Sequence, residues 1–441
     1  MSGAGNVQFE PAGAAGLHGL LQAPADKSIS HRAAIIGSIC DSPVEIKNFL
    51  DAADTESTLA AIEACGVIVE RLGAGSVIVH GAGLRGLRSP GEGWLVNCGN
   101  SGTTMRLLPG VLAGQEGCFL LDGDSSLRRR PMNRIVTPLK TMGVDIEALG
   151  GAFAPLRVCG GKVRPIDYKL PVASAQVKSA LLLAGLYGDG PTIVREPSAC
   201  RDHTEIMLSA AGARIEKQGL VTRISPARRL HLEAVKVPAD FSSAAFFIVA
   251  AAIIPGSKII LPAVGVNPTR TGLLDILKSM GARITGHPAP SGFAGRAPVE
   301  PANDLEITAA PLRGTEVGGE ISGRAIDELP LVALAAAFAE GETVVSGASE
   351  LRVKESDRIR SLVDNLSAIG VDIEARPDGF AVRGGTGIRG GRVRSLGDHR
   401  MAMLGAVAGA ASREGVEVQG FDCVSVSYPG FRDALMGLIS V

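Results

Sequence analysis

Two apolar patterns alternate along the chain and predict most of its helices. The first is a segment rich in alanine and leucine that is apolar on nearly every side after a short polar start. Because such a segment has no polar face to expose, it predicts a helix that is buried inside a domain. Six segments of this kind begin at Ser28, Ser101, Ser174, Ser242, Asp327 and Asp398.

The second pattern is the end of an amphipathic helix, where a glycine precedes an alternating apolar strand. A glycine at this place takes the left-handed conformation that ends many helices. Clear copies have it at Gly66, Gly143, Gly212, Gly281 and Gly370, and a weaker sixth copy lies at Gly437. Both patterns recur roughly every 70 to 90 residues, which indicates one structural unit repeated six times.

Each unit is predicted as strand, buried helix, strand, amphipathic helix and one or two further strands. A unit of about 70 residues is too small to bury its own helix, so neighbouring units must pack together. Three units make a domain of ordinary size, and the break between the third and the fourth falls within residues 229–240. The pattern therefore predicts a mixed α/β (α+β) fold of two domains with three repeats each.

Composition excludes several classes of protein. A chain of 441 residues is too long for one ordinary core. Its net charge of −1 gives no global attraction to nucleic acid or an anionic membrane. No apolar stretch reaches the roughly 20 residues that cross a bilayer, and the first residues do not resemble a signal peptide. We therefore expect a cytoplasmic protein with no nucleic-acid and no membrane partner.

Metal sites and disulfides are not expected. The cysteines are odd in number and lack metal-binding spacing, so they predict reduced and mostly buried thiols: Cys40, Cys65, Cys98, Cys118, Cys159, Cys200 and Cys423. Arg201, His203 and Glu205 alternate near a helix start, but the chain offers no further clustered ligands for a metal.

Cations collect where the buried helices begin. Helix N-termini carry unpaired N–H groups and a partial positive charge, so they suit phosphate and carboxylate ligands. Ordinary capping accounts for a serine or aspartate at any one helix start. It does not account for cations in the first turns of such apolar helices, where an unpaired charge is costly: Lys27, Arg32, Arg106, Lys178 and Arg400. We expect these helix starts to share one face of each domain and to line an anion-binding cleft.

Two further basic clusters, at residues 125–134 and 351–360, fit the same cleft. Taken alone, three arginines in a loop, as at 128–130, are more often a solvated face than a site. A surface lattice of ion pairs accounts for the second cluster equally well.

Seven motifs, in order along nearly the whole chain, resemble the 5-enolpyruvylshikimate-3-phosphate (EPSP) synthase family: "ADKSISHRA", "GNSGTTMRLL", "LRRRP", "SAQVKSALLLAG", "IDELPLVALAAAFAEG", "LRVKESDRI" and "DHRMAM". "SAQVK", "RDHTE" and "NPTR" resemble its class II branch. The resemblance implies an inverse α/β barrel in which each domain has three βαβαββ repeats, with the helices inside and the sheets outside. It implies one domain of residues 24–236 with repeats 1–3, another of residues 1–23 and 237–441 with repeats 4–6, and an active site in the cleft between the domains.

The same resemblance implies a transferase of the shikimate pathway, which leads to chorismate and the aromatic amino acids. Members of the family transfer the enolpyruvyl (1-carboxyvinyl) group of phosphoenolpyruvate to the 5-hydroxyl of shikimate 3-phosphate. The reaction is an addition followed by an elimination that releases phosphate, and the enzyme is the target of glyphosate. No cofactor and no metal are implied, the partners are the two small-molecule substrates, and a monomer is expected.

Residue roles follow from positions that match the family motifs. The catalytic matches are Asp327, as the base at the 5-hydroxyl, and Glu355 with Lys27, as the proton-transfer pair. The residues that match contacts to shikimate 3-phosphate are Lys27, Ser28, Arg32, Ser174, Ala175, Gln176, Arg201, Asp327 and Lys354. The residues that match contacts to phosphoenolpyruvate are Lys27, Gly102, Arg130, Gln176, Arg358 and Arg400. Cations and helix N-termini suit this task, because two polyanionic substrates repel each other.

Several positions depart from the family pattern, and one implied role, that of Glu355 as a proton donor, requires a further condition. Val426 stands where many relatives have a lysine, so one phosphoenolpyruvate contact is missing or supplied elsewhere. Leu107 and Leu108 follow the arginine where class I members have proline and leucine. Gly102 is an alanine in some glyphosate-tolerant class II members, and that methyl group crowds the inhibitor more than the slimmer substrate. A carboxylate beside lysine and arginine has a lowered pKa, so a proton-donating Glu355 requires burial or a bound anion.

The nearest alternative is UDP-N-acetylglucosamine enolpyruvyl transferase, which has the same fold and donor. It is disfavoured because its loop cysteine would fall at Ser125, five residues before Arg130. A non-catalytic anion-binding repeat protein would not need Asp327 and Glu355 beside the cations. A relative of the RNA 3′-phosphate cyclases would require nucleotide-binding features that the sequence does not show.

Overall fold

The computed structural model describes residues 5–73, 75–91, 95–286 and 300–439. These residues form two compact units, each with its own hydrophobic core. The first unit contains Ala25–Pro238 together with Glu300, and the second contains the remaining described residues, up to Pro24 and from Ala239 onward. The predicted domain ranges also include residues 1–4, 74, 92–94, 287–299 and 440–441, which lie outside the described residues.

The described residues contain thirteen α-helices: α1 (Lys27–Ser38), α2 (Ala53–Ala64), α3 (Gly102–Leu112), α4 (Asn133–Thr141), α5 (Ala175–Gly185), α6 (His203–Ala210), α7 (Phe241–Ile253), α8 (Gly272–Ser279), α9 (Gly319–Arg324), α10 (Leu329–Phe338), α11 (Arg358–Ala368), α12 (His399–Ala411) and α13 (Phe431–Ile439). Each helix in this part of the chain is too short or too polar to span a bilayer.

The same residues contain twenty-three β-strands: β1 (Val7–Phe9), β2 (His18–Leu20), β3 (Pro43–Lys47), β4 (Ile68–Gly73), β5 (Ser76–His80), β6 (Leu95–Asn97), β7 (Cys118–Asp122), β8 (Asp145–Ala148), β9 (Leu156–Cys159), β10 (Asp167–Lys169), β11 (Thr192–Arg195), β12 (Ile215–Gln218), β13 (Val221–Ile224), β14 (Ala234–Lys236), β15 (Lys258–Gly265), β16 (Arg283–Thr285), β17 (Ala302–Thr308), β18 (Glu316–Val317), β19 (Glu342–Val345), β20 (Asp372–Arg376), β21 (Gly379–Arg383), β22 (Gly391–Arg394) and β23 (Val416–Gln419).

The first unit has three four-stranded sheets, one for each βαβαββ repeat. The second repeat runs β6–α3–β7–α4–β8–β9, and its strands lie in the order β6-β7-β9-β8. The first two strands are parallel, as a helical crossover requires, and the others pair antiparallel. Strands β10 to β13 repeat this arrangement. In the first repeat the leading strand is β14, from the end of the unit, which pairs in parallel with β3.

The second unit has three more sheets and uses strands from the start of the chain. Strand β2 is the parallel leading strand beside β15, and β18 to β21 form a complete four-stranded sheet. The last sheet has three strands, because β1 pairs antiparallel with β23 where the other repeats have a hairpin. The predicted fold class, mixed α/β with six repeats, is confirmed.

The predicted glycine at the end of the amphipathic helix is confirmed in five repeats. All five take a left-handed φ: Gly66 at 88°, Gly143 at 82°, Gly212 at 90°, Gly281 at 96° and Gly370 at 94°. The prediction is wrong for Gly437, which lies inside α13. In this sheet β1 occupies the place that a hairpin strand takes in the other repeats.

The six helices that are rich in alanine and leucine form the centres of the two cores. Every residue of α5 from Val177 to Gly185 is buried, as is every residue of α10 from Leu329 to Ala337. Fully burying one leucine side chain contributes about 1.5–3 kcal/mol, so these helices account for much of the stability of each unit.

The predicted helix starts are confirmed at three positions and shifted at three. Ser101, Ser174 and Asp398 cap α3, α5 and α12. Helices α1 and α7 begin earlier than predicted, because Asp26 and Asp240 are their caps. The earlier start places Ser28 and Ser242 inside the first turn. Helix α10 begins later than the start predicted at Asp327, because Glu328 is at its cap position.

The prediction of reduced cysteines is wrong for one pair. Cys118 and Cys159 form a disulfide between β7 and β9, where they lie directly opposite each other with Cα atoms 4.0 Å apart. They are 41 residues apart in the chain, so no local spacing reveals the pair. The other five cysteines are free thiols.

Candidate active site

Hydrogen bonds between their first two turns bring the starts of α1, α3 and α5 together in the first unit. Arg32 Nη2 of α1 donates to Ser179 Oγ of α5 at 3.1 Å. Gln176 of α5 accepts from Arg106 Nη1 of α3 at 2.9 Å and donates to Thr103 Oγ1 at 3.3 Å. The predicted convergence of helix N-termini is confirmed within this unit, and it concentrates the partial positive charges of three helices.

Lys27 and Ser28 occupy the first turn of α1, which Asp26 caps. The Lys27 Nζ atom lies 3.3 Å from Asp54 Oδ2, and the lysine side chain remains 32% exposed. The Ser28 carbonyl accepts from Arg32 Nη1 at 2.9 Å. The ammonium is therefore held in place by a carboxylate and still accessible to an anionic ligand.

Arg32 is a buried cation whose hydrogen bonds go to uncharged oxygens: Thr204 Oγ1 at 2.8 Å, Ser28 O at 2.9 Å and Ser179 Oγ at 3.1 Å. Burial lowers the pKa of Arg32 to about 10; Glu205 and Asp26 oppose this change, while Arg201 adds to it. Arg201 is thus close enough to act on Arg32 through its charge. Two neighbouring cations of this kind favour an anionic ligand.

Gly102 begins α3 and lies against two arginines. A Cβ atom there would be 3.0 Å from Arg106 Nη1 and 3.2 Å from Arg130 Nη1. Arg130 Nη2 donates to Asn100 Oδ1 at 2.7 Å. Burial lowers the pKa of Arg106 to about 10, and the charges of Arg134 and Arg130 contribute to the decrease. This helix start has the charge and the open backbone that suit a phosphate group.

The remaining predicted positions of the first unit are partly exposed. Ser174 caps α5 by accepting from a backbone N–H, and Ala175 and Gln176 follow it. Of the loop arginines at 128–130, Arg128 pairs with Asp122. Arg130 is the arginine of this loop that lies against the start of α3.

Lys178 does not belong with the anion-binding cations, and its prediction as one of them is wrong. Its Nζ atom lies 2.6 Å from Glu205 Oε1 and 3.0 Å from Glu196 Oε1, and all three side chains are buried. The cation is already paired, because it faces α6 and the segment after β11.

One buried polar chain was not predicted. His31 Nδ1 lies 2.6 Å from Thr58 Oγ1, Thr58 Oγ1 lies 2.6 Å from Thr104 Oγ1, and Thr104 donates to Ser101 Oγ at 2.7 Å. Burial lowers the pKa of His31 well below its ordinary value, helped by two neighbouring cations. This neutral chain fixes the start of α1 relative to the start of α3. The sequence signal for this chain is a small polar residue at a buried position of each helix, such as Thr58 in α2 and Thr104 in α3.

The starts of α7, α10 and α12 also meet, in the second unit. Ser242 Oγ donates to Glu328 Oε1 at 2.5 Å and accepts from Arg270 Nη2 at 2.6 Å. Arg400 Nη1 donates to the Asp327 carbonyl at 3.2 Å and lies 3.5 Å from Glu328 Oε1. The predicted convergence of helix starts is therefore confirmed in this unit as well.

Arg358 is the centre of the charged residues in this unit and is only 1% exposed. Its Nε atom donates to Asp398 Oδ2 at 2.8 Å. Nη1 lies 3.4 Å from Asp327 Oδ1, and Nη2 donates to Glu355 Oε2. Three carboxylates thus share one buried guanidinium. Lys354 Nζ lies 3.5 Å from the same Asp327 oxygen, so the proposed base is flanked by two cations.

The charges of the second unit set the protonation of its carboxylates. Burial acts to raise the pKa of Glu355, but Arg358 and Arg400 outweigh it, and the pKa lies below its ordinary value. Burial acts to lower the pKa of Arg400, but Asp327 and Glu328 reverse this effect and raise it. Glu355 is therefore ionised at neutral pH. Its side chain is 48% exposed, so a ligand can reach it.

Asp398 is a site residue that the sequence indicated only as a helix cap. It caps α12 and binds Arg358 at the same time. The signal that could have found it is the buried arginine itself, because a buried charge requires a buried partner. Val426, at the position of the family lysine, ends a short 3₁₀ turn and is 46% exposed.

Comparison with known proteins agrees over nearly the whole chain. The family model EPSP synthase (3-phosphoshikimate 1-carboxyvinyltransferase) matches residues 11–435. The 3-phosphoshikimate 1-carboxyvinyltransferase of Desulforudis audaxviator is 47% identical over 427 residues, which cover 96% of this chain and 98% of that protein. The enzyme of the same name from Pelotomaculum thermopropionicum is 49% identical over 422 residues, which cover 95% and 96%.

Solved structures give the same result. EPSP synthase from Acinetobacter baumannii has 40% sequence identity and a TM-score of 0.89 over 98% of both chains. The enolpyruvyl transferase NikO from Streptomyces tendae, at 18% identity and a TM-score of 0.75 over 98% of both chains, shares the fold. The chain belongs to the EPSP synthase (3-phosphoshikimate 1-carboxyvinyltransferase) family of transferases.

Proposed function

We propose that this chain transfers the enolpyruvyl group of phosphoenolpyruvate to the 5-hydroxyl of shikimate 3-phosphate and releases phosphate. Family membership over residues 11–435 supports the reaction. The observation that carries the site assignment is that Asp327 and Glu355, the two carboxylates with acid–base roles, share the buried cation Arg358.

The acceptor, shikimate 3-phosphate, is held by residues of both units: Lys27, Ser28, Arg32, Ser174, Ala175, Gln176 and Arg201 of the first, and Asp327 and Lys354 of the second. Phosphoenolpyruvate is held by Lys27, Gly102, Arg130 and Gln176 of the first unit and by Arg358 and Arg400 of the second. Each substrate is thus proposed to need residues of both sets for the reaction.

Addition begins with removal of the proton from the 5-hydroxyl. Asp327 accepts this proton; its carboxylate lies 3.5 Å from Lys354 Nζ and 3.4 Å from Arg358 Nη1, which hold it in one place. The oxygen then attacks the carbon of phosphoenolpyruvate that bears the phosphate, while a proton is delivered to the methylene carbon. Elimination removes a proton from the new methyl group and expels phosphate.

Glu355 has to change its protonation during this cycle, with Lys27 as the other member of the pair. In the ligand-free protein its pKa is lowered by Arg358 and Arg400 against the effect of burial, which favours a base. When phosphoenolpyruvate binds Arg358, its negative charge weakens the pair of Arg358 with Glu355 and adds to the negative charge near Glu355. Both effects raise the pKa of Glu355, so substrate binding prepares it to donate a proton.

The test is a phosphate-release assay with phosphoenolpyruvate and two acceptors. Release is expected with shikimate 3-phosphate and not with UDP-N-acetylglucosamine, because Ser125 stands where the loop cysteine of the second enzyme would lie. Release with UDP-N-acetylglucosamine alone would overturn the proposed function.

A cytoplasmic location and a monomeric state stay predictions. Light scattering coupled to size-exclusion chromatography measures the second directly, and a mass near 45.3 kDa is expected.

A further inference from the structure

Three charged side chains are buried in the first unit without a part in the proposed reaction. Lys178 Nζ lies 2.6 Å from Glu205 Oε1 and 3.0 Å from Glu196 Oε1. We call Lys178, Glu196 and Glu205 the buried triad. Each of its side chains is at most 3% exposed.

Such a triad is a poor way to gain stability. Removing three charges from water costs free energy that their mutual attraction rarely exceeds, and apolar residues of similar volume are often as stable or more stable. The presence of three charges here therefore suggests that their geometry serves the protein.

One contact set of the buried triad fixes the residue before Arg201. Glu196 Oε2 accepts from the Cys200 backbone N–H at 2.7 Å, and Lys178 Nζ donates to the Cys200 carbonyl at 3.5 Å. Both backbone groups of Cys200 are thus held by the triad. Arg201 follows directly, so its position depends on these bonds.

A second contact set fixes the acceptors of Arg32. Lys178 and Ser179 are neighbours on α5, and Thr204 and Glu205 are neighbours on α6. The pairs Lys178–Glu205 and Ser179–Thr204, the latter at 2.7 Å between hydroxyl oxygens, join the two helices. The guanidinium of Arg32 donates to both hydroxyls. The Lys178–Glu205 ion pair therefore fixes the positions of the two hydroxyl groups, Ser179 and Thr204, to which Arg32 donates.

We propose that Lys178, Glu196 and Glu205 are positioning residues that hold Arg32 and Arg201 in one fixed arrangement for the anionic groups of shikimate 3-phosphate. This inference rests on the proposed function, which makes shikimate 3-phosphate the ligand of the two arginines. The triad does not touch the substrate; it acts through Cys200, Ser179 and Thr204.

The substitution Glu196→Gln separates positioning from charge. Glutamine has one oxygen and one amide, so it cannot accept from both Cys200 N–H and Lys178, and one contact is lost. The substitution also removes a negative charge near two arginines, which on electrostatic grounds alone strengthens binding of an anion. Positioning predicts weaker binding, and charge alone predicts tighter binding.

The experiment measures the dissociation constant of shikimate 3-phosphate by titration calorimetry in the full chain, and the steady-state constants for both substrates. In Glu196→Gln we expect the dissociation constant and the KM for shikimate 3-phosphate to rise about tenfold, because small misplacements of binding groups have effects of this size. The KM for phosphoenolpyruvate at saturating acceptor should stay within about twofold. Glu205→Gln should weaken acceptor binding in the same direction, through Arg32.

Two matched controls come from the same repeat. Glu216→Gln makes the same charge change at an exposed position of β12, where Glu216 pairs with Arg214 at 3.1 Å, and it should leave both constants unchanged. Leu182→Ala in the buried face of α5 should lower the melting temperature without changing acceptor affinity in the folded protein.

The outcomes are distinct. Unchanged or tighter acceptor binding in folded Glu196→Gln and Glu205→Gln would overturn the positioning role, as would failure of both to fold while Leu182→Ala folds, since the triad would then be structural only. If the unchanged protein does not bind shikimate 3-phosphate, the proposed function itself fails, and this inference fails with it.

Discussion

Three carboxylates surround the guanidinium of Arg358, and their surroundings separate their roles. Asp398 is fully buried and caps α12, so it has no access to a substrate. Asp327 lies between Lys354 and Arg358, and Glu355 is the most exposed of the three. Asp327 and Glu355 are therefore the two of these carboxylates that solvent reaches, and the two proposed as base and acid.

Replacing either of these carboxylates by its amide should abolish most of the turnover. We expect Asp327→Asn and Glu355→Gln each to lower kcat about 10²–10⁴-fold, the usual contribution of a positioned acid or base. The dissociation constant of shikimate 3-phosphate should change little, because most of its proposed contacts lie elsewhere. Stopped assays of phosphate release and a calorimetric titration measure the two effects. Turnover within about threefold of the original in both variants would remove the acid–base assignment.

The substitution Gly102→Ala tests whether the start of α3 binds phosphoenolpyruvate. In Gly102→Ala the new methyl group would lie 3.0 Å and 3.2 Å from terminal nitrogens of Arg106 and Arg130, so both guanidinium groups must shift. We expect the KM for phosphoenolpyruvate to rise by about three- to tenfold, while the KM for shikimate 3-phosphate changes less. Gly161→Ala is the matched control, since a methyl group there meets nothing within 4 Å. Equal effects of the two substitutions would contradict the assignment of Gly102 to the donor.

At the scale of elements, the repeat could be read from the sequence because its signals are local. A glycine such as Gly212 and a helix that is apolar on all sides are properties of a few consecutive residues. The partners of Lys178 could not be read in this way, since Glu196 and Glu205 come from later elements that only the packing of α5 against α6 brings near. The Cys118–Cys159 disulfide could not be predicted for the same reason, because it depends on the register of β7 and β9.

The residues of the candidate site also separate into those that local sequence predicts and those that depend on packing. Arg32 and Gly102 stand in motifs that the family resemblance carries, and their positions at helix starts follow from local capping rules. Asp398 was predicted as a cap, while its second task, the pair with Arg358, needs the start of α12 to meet the start of α11. The role of a charged residue in a buried site thus depends on partners that local patterns do not contain.

The Arg358–Asp398 pair joins α11 to α12 and should be important for stability. Arg358→Met leaves Asp398 buried without its partner, which typically costs about 3–5 kcal/mol. The double variant Arg358→Met with Asp398→Asn removes both charges and should recover much of this loss without recovering activity. Denaturant titrations of the two variants and the original protein measure the difference. A double variant no more stable than the single one would contradict the pairing argument.

The pH dependence of the same pair has a definite sign. In the original protein burial opposes the effect, but Arg358 lowers the pKa of Asp398 below its ordinary 3.8. The pair therefore stabilises the fold above that value and loses its contribution as the pH falls through the lower folded pKa. In Arg358→Met burial without a partner raises this pKa, so the variant should recover stability relative to the original as the pH falls from 7 toward 4. Melting temperatures across this range test the sign.

At the scale of the whole molecule, the sheets of one unit come from a single segment of the chain, and those of the other come from two segments. Every sheet of the first unit uses strands from Ala25–Pro238 alone, because β14 returns to pair with β3. The second unit needs β1 and β2 from the start of the chain to complete two of its sheets. The two units should therefore differ in whether a single segment of the chain can fold alone.

A fragment of residues 25–238 should fold and bind shikimate 3-phosphate without any turnover. It contains the first-unit residues proposed to hold the acceptor, among them Lys27, Arg32 and Arg201, and it lacks the proposed base and acid, Asp327 and Glu355. Circular dichroism and calorimetry measure folding and binding. Because the fragment lacks Glu300, which lies 2.7 Å from His203 Nδ1, we expect it to be less stable than the unit in the whole chain, by about 1–3 kcal/mol for a buried group without its partner.

A shorter fragment that ends at residue 232 supplies the control. It lacks β14, so β3 becomes an exposed sheet edge, and a further loss of stability and a tendency to associate are expected. If the longer fragment folds but does not bind shikimate 3-phosphate, acceptor recognition depends on Asp327 and Lys354 to a larger degree than proposed. If it binds as tightly as the whole chain, these two residues contribute nothing to ground-state affinity, and their role is confined to the reaction itself.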